Sequence, residues 1–598
     1  MGPATTHREK FARLPLFAGL ADAALDAIDA ELEWLCLPGG STLFHAGDEG
    51  DALYIVTAGG LGVITVGGDD GPERQVARVS AGDVVGEIAL VAGVPRTATV
   101  VAHRDTELLR LDRAAFERLV ERHPAAMLEL IRRALRRLRR ALSGAVHRDS
   151  PKTFCLLPVS ADVPAAALAR DLTDAVGTAG LRAGLMTVAA SSQTTGWFHA
   201  VEMAHDVVLY LAEPVMSPWT RLCLRQADRI LFLAMPDSPP APGLRLDLAV
   251  GELGRRPRDL VLLQDADAPW PRAAAPWLRR VEVDLHCHVR LGRRDDLGRL
   301  VRLMTGRAVG LVLSGGGARG FAHLGVVRAL REAGVPLDLV AGTSMGAIVG
   351  AAVALEYDHA AFMERMRRAF VETNPLSDYT LPLIALVKGR RVTRLLREQF
   401  GETKLEDTWR PYLCMSSNLT TGQPHVHRTG PLWRALRASV AIPGVLPPVI
   451  EDGEVLVDGG VINNLPVDVM GALGRGPLIG VDVAADRALT LAPEELEGGA
   501  LGRLIRHPRS APAIVGLLVR AGTVSSEIHS RTCRRQVDLL LEPPLEAIDI
   551  LNWHAFDRAV DLGYRYAAAT LERLDAPPWA TPSAAPPSRP RAGGEPAA

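Results

Sequence analysis

Three patterns in the sequence predict a multidomain α/β chain. Residues 35 to 101 break into short apolar runs separated by glycine-rich turns, the pattern of a small β-barrel. From about 151 to 305 apolar strands alternate with helical segments, as in a doubly wound α/β layer. The stretch Ala308 to Gly350 then reads strand, turn, helix, strand, turn, helix, with glycine concentrated in both turns. These patterns divide the 598 residues into units at 1–148, 149–305 and 306–490. A helical C-terminal extension at 491–575 and a Pro- and Ala-rich disordered tail at 576–598 follow.

In the first unit, Leu14 to Leu20 opens a helical stretch ahead of the barrel strands. Within the barrel lies Gly86-Glu87-Ile88-Ala89-Leu90, followed by Pro95-Arg96-Thr97-Ala98-Thr99-Val100. This resembles the phosphate-binding cassette of cyclic nucleotide-binding domains, over about residues 10 to 145. The chemistry suits such a ligand: Arg96 offers a guanidinium for the cyclic phosphate and Glu87 can accept from a ribose hydroxyl. The Gly86 and Ala98 regions offer backbone donors, and Thr97 could reach a guanine base. The resemblance makes cAMP or cGMP a candidate regulator, although such barrels also persist as docking modules without ligand.

The Arg-rich segment Met127 to Leu142 spaces Leu128, Ile131, Leu135, Leu138 and Leu142 by threes and fours, with arginines on the other faces. It reads as a helix that pairs two copies in a homodimer, as a basic face for anionic lipid, or as a solvated helix on its own barrel. In the second unit the strands at 153–159, 206–211, 229–233 and 259–263 are apolar enough to be buried. The turn Ser160-Ala161-Asp162-Val163-Pro164 lacks the glycines, lysine and hydroxyl of a phosphate-binding P-loop.

The third unit carries the chemistry. Gly315-Gly316-Gly317-Ala318-Arg319-Gly320 can present backbone N–H groups at a helix N-terminus, where a developing anion is stabilised. Gly342-Thr343-Ser344-Met345-Gly346 is a G-x-S-x-G nucleophile elbow with Ser344 at its tip. The first turn also satisfies G-x-G-x-x-G. A dinucleotide site would need an acidic residue ending the second strand, whereas Asp338 precedes that strand. Asp458 ends a short strand before Gly459 and Gly460, which suits a base facing a cleft. His323 follows the first turn, where packing or a local hydrogen bond is its simpler role.

GGGARG, GTSMG and DGG in this order, with Val461-Ile462-Asn463-Asn464-Leu465-Pro466 after them, resemble the patatin-like phospholipase family, which uses a Ser-Asp dyad. The resemblance implies that Ser344 attacks an acyl carbonyl, Asp458 takes its proton, and the loop around Gly315 to Gly317 holds the oxyanion. Leu157-Pro158-Val159-Ser160, Ser217-Pro218-Trp219-Thr220-Arg221 and Arg225-Gln226-Ala227-Asp228 add similarity to the neuropathy target esterase branch. That branch implies a lysophospholipase acting on the acyl ester of a lysophospholipid, with no cofactor or metal for catalysis. The alternatives are a cyclic-nucleotide receptor whose hydrolase part is a scaffold, or an esterase for another acyl lipid.

Composition bounds the rest. A formal net charge of −2 gives no pull toward nucleic acid, and six cysteines without C-x-x-C spacing suit a reducing, cytoplasmic setting. His286-Cys287-His288 is the nearest approach to a metal motif, with surface or packing roles the simpler explanation. No basic leader with an apolar core and no run of about 18 apolar residues is present, so a lipid-directed enzyme would visit a membrane transiently, at the inner face. Leu381 to Val387, followed by Lys388, Arg390 and Arg391, reads either as a lip for acyl chains at an anionic surface or as a buried helix with a charged end. Ala441 to Pro448 is a rigid turn expected to line the pocket.

Overall fold

The computed structural model describes residues 22–66, 73–122, 124, 151–241, 256–381, 384–484, 526 and 529–580. The Arg-rich segment and the tail beyond 580 lie outside them.

The N-terminal unit contains β1 (Glu33–Leu37), β2 (Thr42–Phe44), β3 (Ala52–Ala58), β4 (Gly60–Val66), β5 (Glu73–Ser80), β6 (Val84–Val85), helix α1 (Glu87–Ala92), β7 (Thr99–Ala102) and β8 (Thr106–Asp112). They form two four-stranded antiparallel sheets, ordered β1-β8-β3-β6 and β2-β7-β4-β5. The pairings among described strands therefore make an open sandwich, where the strand pattern had suggested a barrel. The alternation of β3 explains how it is filled. Ala52, Tyr54 and Val56 join the core between the sheets, while Leu53 and Ile55 pack on the outer side with Leu90 and Phe116.

In the second unit β9 (Thr153–Pro158), β10 (Ala183–Met186), β11 (Val207–Leu211), β12 (Arg229–Ala234), β13 (Arg258–Gln264) and β14 (Leu285–Arg290) form a wholly parallel sheet ordered β10-β11-β9-β12-β13-β14. Its strands are apolar on both faces because helices cover both. Helix α2 (Arg294–Met304) leads from it into the third unit.

The third unit comprises β15 (Gly310–Leu313), α3 (Ala322–Glu332), β16 (Leu339–Thr343), α4 (Met345–Ala354), α5 (Arg390–Phe400), β17 (Tyr412–Asn418), β18 (Gln423–His427), α6 (Leu432–Ser439), β19 (Val449–Glu451), β20 (Glu454–Asp458), α7 (Val467–Ala472) and β21 (Leu478–Val481). Residues expected to form a separate helical extension complete it instead: β22 (Leu539–Leu541) pairs with β21, and α8 (Phe556–Glu572) packs on α3. That packing depends on two glycines. A Cβ at Gly325 would strike the Val560 carbonyl, and one at Gly563 would strike that of Ala322, so only glycine lets the helices approach this closely. The sheet order is β19-β20-β17-β16-β15-β21-β22, with β18 alongside β17.

The second and third units share a core, since Phe154, Leu233 and Val261 belong to the same apolar cluster as Val312, Leu413 and Met415. A buried charge pair also joins them, with both Arg475 Nη atoms on Asp259 at 2.7 and 2.6 Å. The sandwich docks through residues 103–105: Arg104 bonds Glu202 at 2.9 Å and the His103 carbonyl accepts from Arg256 Nε at 2.8 Å.

Candidate active site

Strand β17 sets the spacing of the site. β16 runs parallel to it and ends with Thr343 opposite Met415, while antiparallel β20 ends with Asp458 opposite Ser416, one residue further along. The two strand ends meet along a shared neighbour. Side chains 114 residues apart in sequence are thereby brought within reach, and Ser344 Oγ donates to Asp458 Oδ2 at 2.7 Å. β15 ends beside β16, which places the Gly315 loop at the same rim.

Ser344 adopts φ 52° and ψ −121°, a left-handed conformation costly for a residue with a Cβ and typical of a strained strand-to-helix elbow. Gly342 and Gly346 make it possible: a Cβ on Gly346 would lie 2.5 Å from the Leu313 and Ser314 carbonyl oxygens, and one on Gly342 would meet Gly346 itself. The Ser344 N–H donates to Ser439 Oγ at 2.9 Å, at the end of α6. That clamp had no sequence signature. Thr343 Oγ1 donates to the Asn463 carbonyl, and Met345 is buried under the Gly320 turn.

Burial pushes the Asp458 carboxyl up to about 6, against the hydrogen bonds from Ser344 and from the Gly460 N–H, which favour the ionised form. The Gly460 bond to Oδ1 is 2.8 Å long. Among the described residues no cation pairs with this carboxylate, so desolvation prevails. Gly459 lies against the Met415 carbonyl, where β20 turns away from β17.

The structure narrows the expected oxyanion loop. The Gly315 N–H is directed to Asn464 Oδ1 at 3.2 Å, Ala318 N–H to the Ile550 carbonyl at 2.8 Å, and Arg319 N–H to the Gly316 carbonyl at 3.2 Å. These three donors are committed to the protein: Asn464 and the chain at Ile548 to Ile550 fold over the loop and take the first two, and the loop's own Gly316 takes the third. Arg319 spans the same contact, its Nε donating to the Ile548 carbonyl at 2.7 Å. Gly320 serves packing, since a Cβ there would sit 2.4 to 2.5 Å from Met345. Gly316 and Gly317 are the loop positions left for an oxyanion.

His323 is fully buried and donates Nε2–H to the Ser314 carbonyl at 2.8 Å, and burial lowers it to about 4. It is a neutral packing residue beneath the loop. Asp338 forms two bonds with Arg302, at 2.8 and 2.7 Å, and accepts from Val309 N–H, a structural role that removes the dinucleotide alternative. His286 and His288 both bond the Glu406 carbonyl at 2.9 Å, joining the second unit to the third.

In the sandwich, Gly86 and Glu87 open α1 beside Arg96. The Arg96 guanidinium is almost wholly buried; Nη1 donates to the Gly86 carbonyl at 3.0 Å and Nη2 meets Asp51 at 3.3 Å. It also lies 4.3 Å from the Phe44 ring centroid. Nε is buried without a hydrogen-bond partner. Glu87, Ala89 and Ala98 are buried, whereas Ile88 and Thr97 are exposed. Asp51 was missed by sequence reasoning: besides Arg96 it pairs with Arg110 at 3.1 Å.

Strand, strained elbow, covering glycine loop and strand-end aspartate together define a patatin-like phospholipase domain, and residues 311–470 match the family model of that description. Residues 35–123 match the cyclic nucleotide-binding domain, and 150–307 the neuropathy target esterase family P-loop like domain. In these matches the chain is similar to the neuropathy target esterase branch of the patatin-like phospholipases. It is 31% identical to human patatin-like phospholipase domain-containing protein 6, over 91% of this chain and 45% of that protein. It is 29% identical to lysophospholipase nte1 of Aspergillus terreus, over 92% and 42% respectively. With neuropathy target esterase sws of Drosophila melanogaster the identity is 30%, over 91% and 43%. The chain thus spans less than half the length of these relatives.

Proposed function

We propose that this chain is a serine esterase that hydrolyses the acyl ester of lysophospholipids. The observation that carries the reading is the 2.7 Å bond from the strained Ser344 hydroxyl to a buried, unpaired Asp458. Ser344 Oγ attacks the acyl carbonyl while Asp458 Oδ2 accepts its proton. The tetrahedral oxyanion is held at Gly316 and Gly317, and the lysolipid alcohol leaves with the proton. Water then cleaves the acyl-enzyme by the same steps in reverse order, and fatty acid is released. A carboxylate at about 6 is ionised at neutral pH and is a stronger base than a free aspartate at about 3.9. The relatives named lysophospholipase support the substrate class.

Access supports a membrane-facing enzyme. Ser344 and Asp458 are only 7% and 6% exposed, and the 439–448 segment is hydrogen-bonded to both through Ser439 Oγ and the Ala441 carbonyl. Against that segment lies the chain at 379–388, with Leu386 and Val387 N–H groups on the Gly444 and Val445 carbonyls. Tyr379, Leu381 and Ile384 are 71–75% exposed there, and Lys388, Arg390, Arg394 and Arg397, with a single carboxylate at Glu398, line a cleft that begins at the end of this segment. Apolar side chains next to cations suit transient contact with an anionic lipid surface at the inner membrane face. No helix among the described residues is long and apolar enough to cross a membrane. All six cysteines are free and five are buried, which fits a cytoplasmic setting.

The buried Arg96 beside Gly86 and Glu87 supports a cyclic nucleotide as regulator. The deciding experiment is fatty-acid release from lysophosphatidylcholine by wild type, Ser344→Ala and Asp458→Asn, each with and without cAMP or cGMP. Release by wild type alone establishes the dyad, and a nucleotide effect on it establishes regulation. Nucleotide binding without any release would make the chain a receptor.

A further inference from the structure

Beside the Asn463 turn, three side chains from two separate segments converge on one point. Asp468 lies in α7, while His529 and Cys533 stand one turn apart on helical residues 529–534. His529 Nε2 is 3.4 Å from Cys533 Sγ and 3.4 Å from Asp468 Oδ2, and Cys533 Sγ is 3.9 Å from Asp468 Oδ1. We propose that Asp468, His529 and Cys533 bind one zinc-class divalent cation, fastening the C-terminal part of the domain to α7, which follows the strand that ends in Asp458.

The geometry favours a metal over a thiol relay. A relay would have the imidazole contact the thiol through one nitrogen and the carboxylate through the other, whereas here sulfur and oxygen approach the same nitrogen. Tetrahedral zinc, with bonds of about 2.0–2.3 Å, sets its ligand atoms about 3.3–3.8 Å apart, close to the separations found here. A thiolate, an imidazole and a carboxylate form the donor set expected for zinc rather than magnesium or calcium. His529 and Asp468 are part-exposed, with side chains 42% and 37% accessible, so a cation has a path in.

A supporting shell is also present. Asn463 Nδ2 donates to Asp468 Oδ1 at 2.9 Å and so orients the carboxylate. The other end of that carboxamide, Asn463 Oδ1, is buried with no hydrogen-bond partner, which leaves an acceptor for a metal-bound water. The Asn463 carbonyl in turn holds Thr343, next to Ser344. Among the described residues a second such cluster, His425, His427 and Glu451, is weaker, because His427 Nε2 is already bonded to Ser416 Oγ at 2.5 Å.

The test uses the full chain, stripped with chelator and titrated with Co²⁺. Wild type should take up one equivalent with a near-ultraviolet thiolate-to-cobalt absorption, which Zn²⁺ then bleaches. Cys533→Ser should remove that absorption. His529→Gln, at a half-exposed position that leaves the fold intact, should weaken Co²⁺ binding at least about tenfold. No thiolate band in wild type would overturn the proposal. So would an unchanged band in Cys533→Ser or unchanged affinity in His529→Gln, whichever variant is soluble.

Discussion

Two of the buried charges, opposite in sign, are treated differently. Asp458 is enclosed with one hydroxyl, one backbone N–H and no cation, so burial raises its proton affinity. Arg96 is enclosed equally well, but a carbonyl, the Asp51 carboxylate and the Phe44 ring face compensate it. An uncompensated buried charge is a reactive group, while a compensated one is a latch that only a better counter-ion can open. The first environment suits proton transfer, and the second holds a guanidinium in place.

The largest effect expected from this contrast is at the nucleophile. Ser344→Ala should lower kcat for lysophosphatidylcholine by about 10⁴-fold or more, measured as fatty-acid release. Asp458→Asn should cost about 10³–10⁴-fold in the same assay. Its effect on stability should have the opposite sign. A carboxyl raised to about 6 when folded and near 3.8 when unfolded binds more protons in the native state between those values, so its contribution is favourable below about 4 and is lost as pH rises through 6. At pH 7 the native state therefore carries the cost of a buried carboxylate. Asp458→Asn should unfold at a higher temperature than wild type at pH 7.5, with the gap narrowing toward pH 5, by calorimetry.

Arg96→Ala should abolish cyclic nucleotide binding in isothermal titration while basal esterase activity stays within about twofold. Asp51→Asn should tighten that binding several-fold, because the nucleotide phosphate no longer competes with a carboxylate for the guanidinium. If Asp51→Asn left the affinity unchanged, the latch would lie elsewhere. The smallest effect is expected for Ser439→Ala, which loosens the Ser344 N–H and should reduce kcat about tenfold or less, consistent with one neutral hydrogen bond.

How much of this was legible in the sequence follows from how local each feature is. The elbow, the glycine turn and the strand-end Asp458 are short motifs whose backbone demands are written in their own residues, and all three stand at one rim of the sheet. The meeting of Ser344 with Asp458 depends on β17, whose Met415 and Ser416 carry no catalytic signature. The oxyanion loop was read too broadly, since Asn464 and Ile550, distant in sequence, take up two of its donors and the Gly316 carbonyl a third. The C-terminal stretch was read as a helical extension because a three-residue edge strand such as Leu539–Leu541 is too short to show a period. Asp51 and Ser439 act through tertiary contacts alone, and no spacing rule points to either.

The central claim is that an unpaired, buried Asp458 is the base for Ser344. The pH dependence of kcat/KM for lysophosphatidylcholine hydrolysis tests it most directly, because it reports the ionisation of the free enzyme. The expected profile loses activity as pH falls, with an inflection near 6, and Asp458→Asn abolishes the inflection along with the activity. An inflection near 4, or one retained by residual activity in Asp458→Asn, would contradict it.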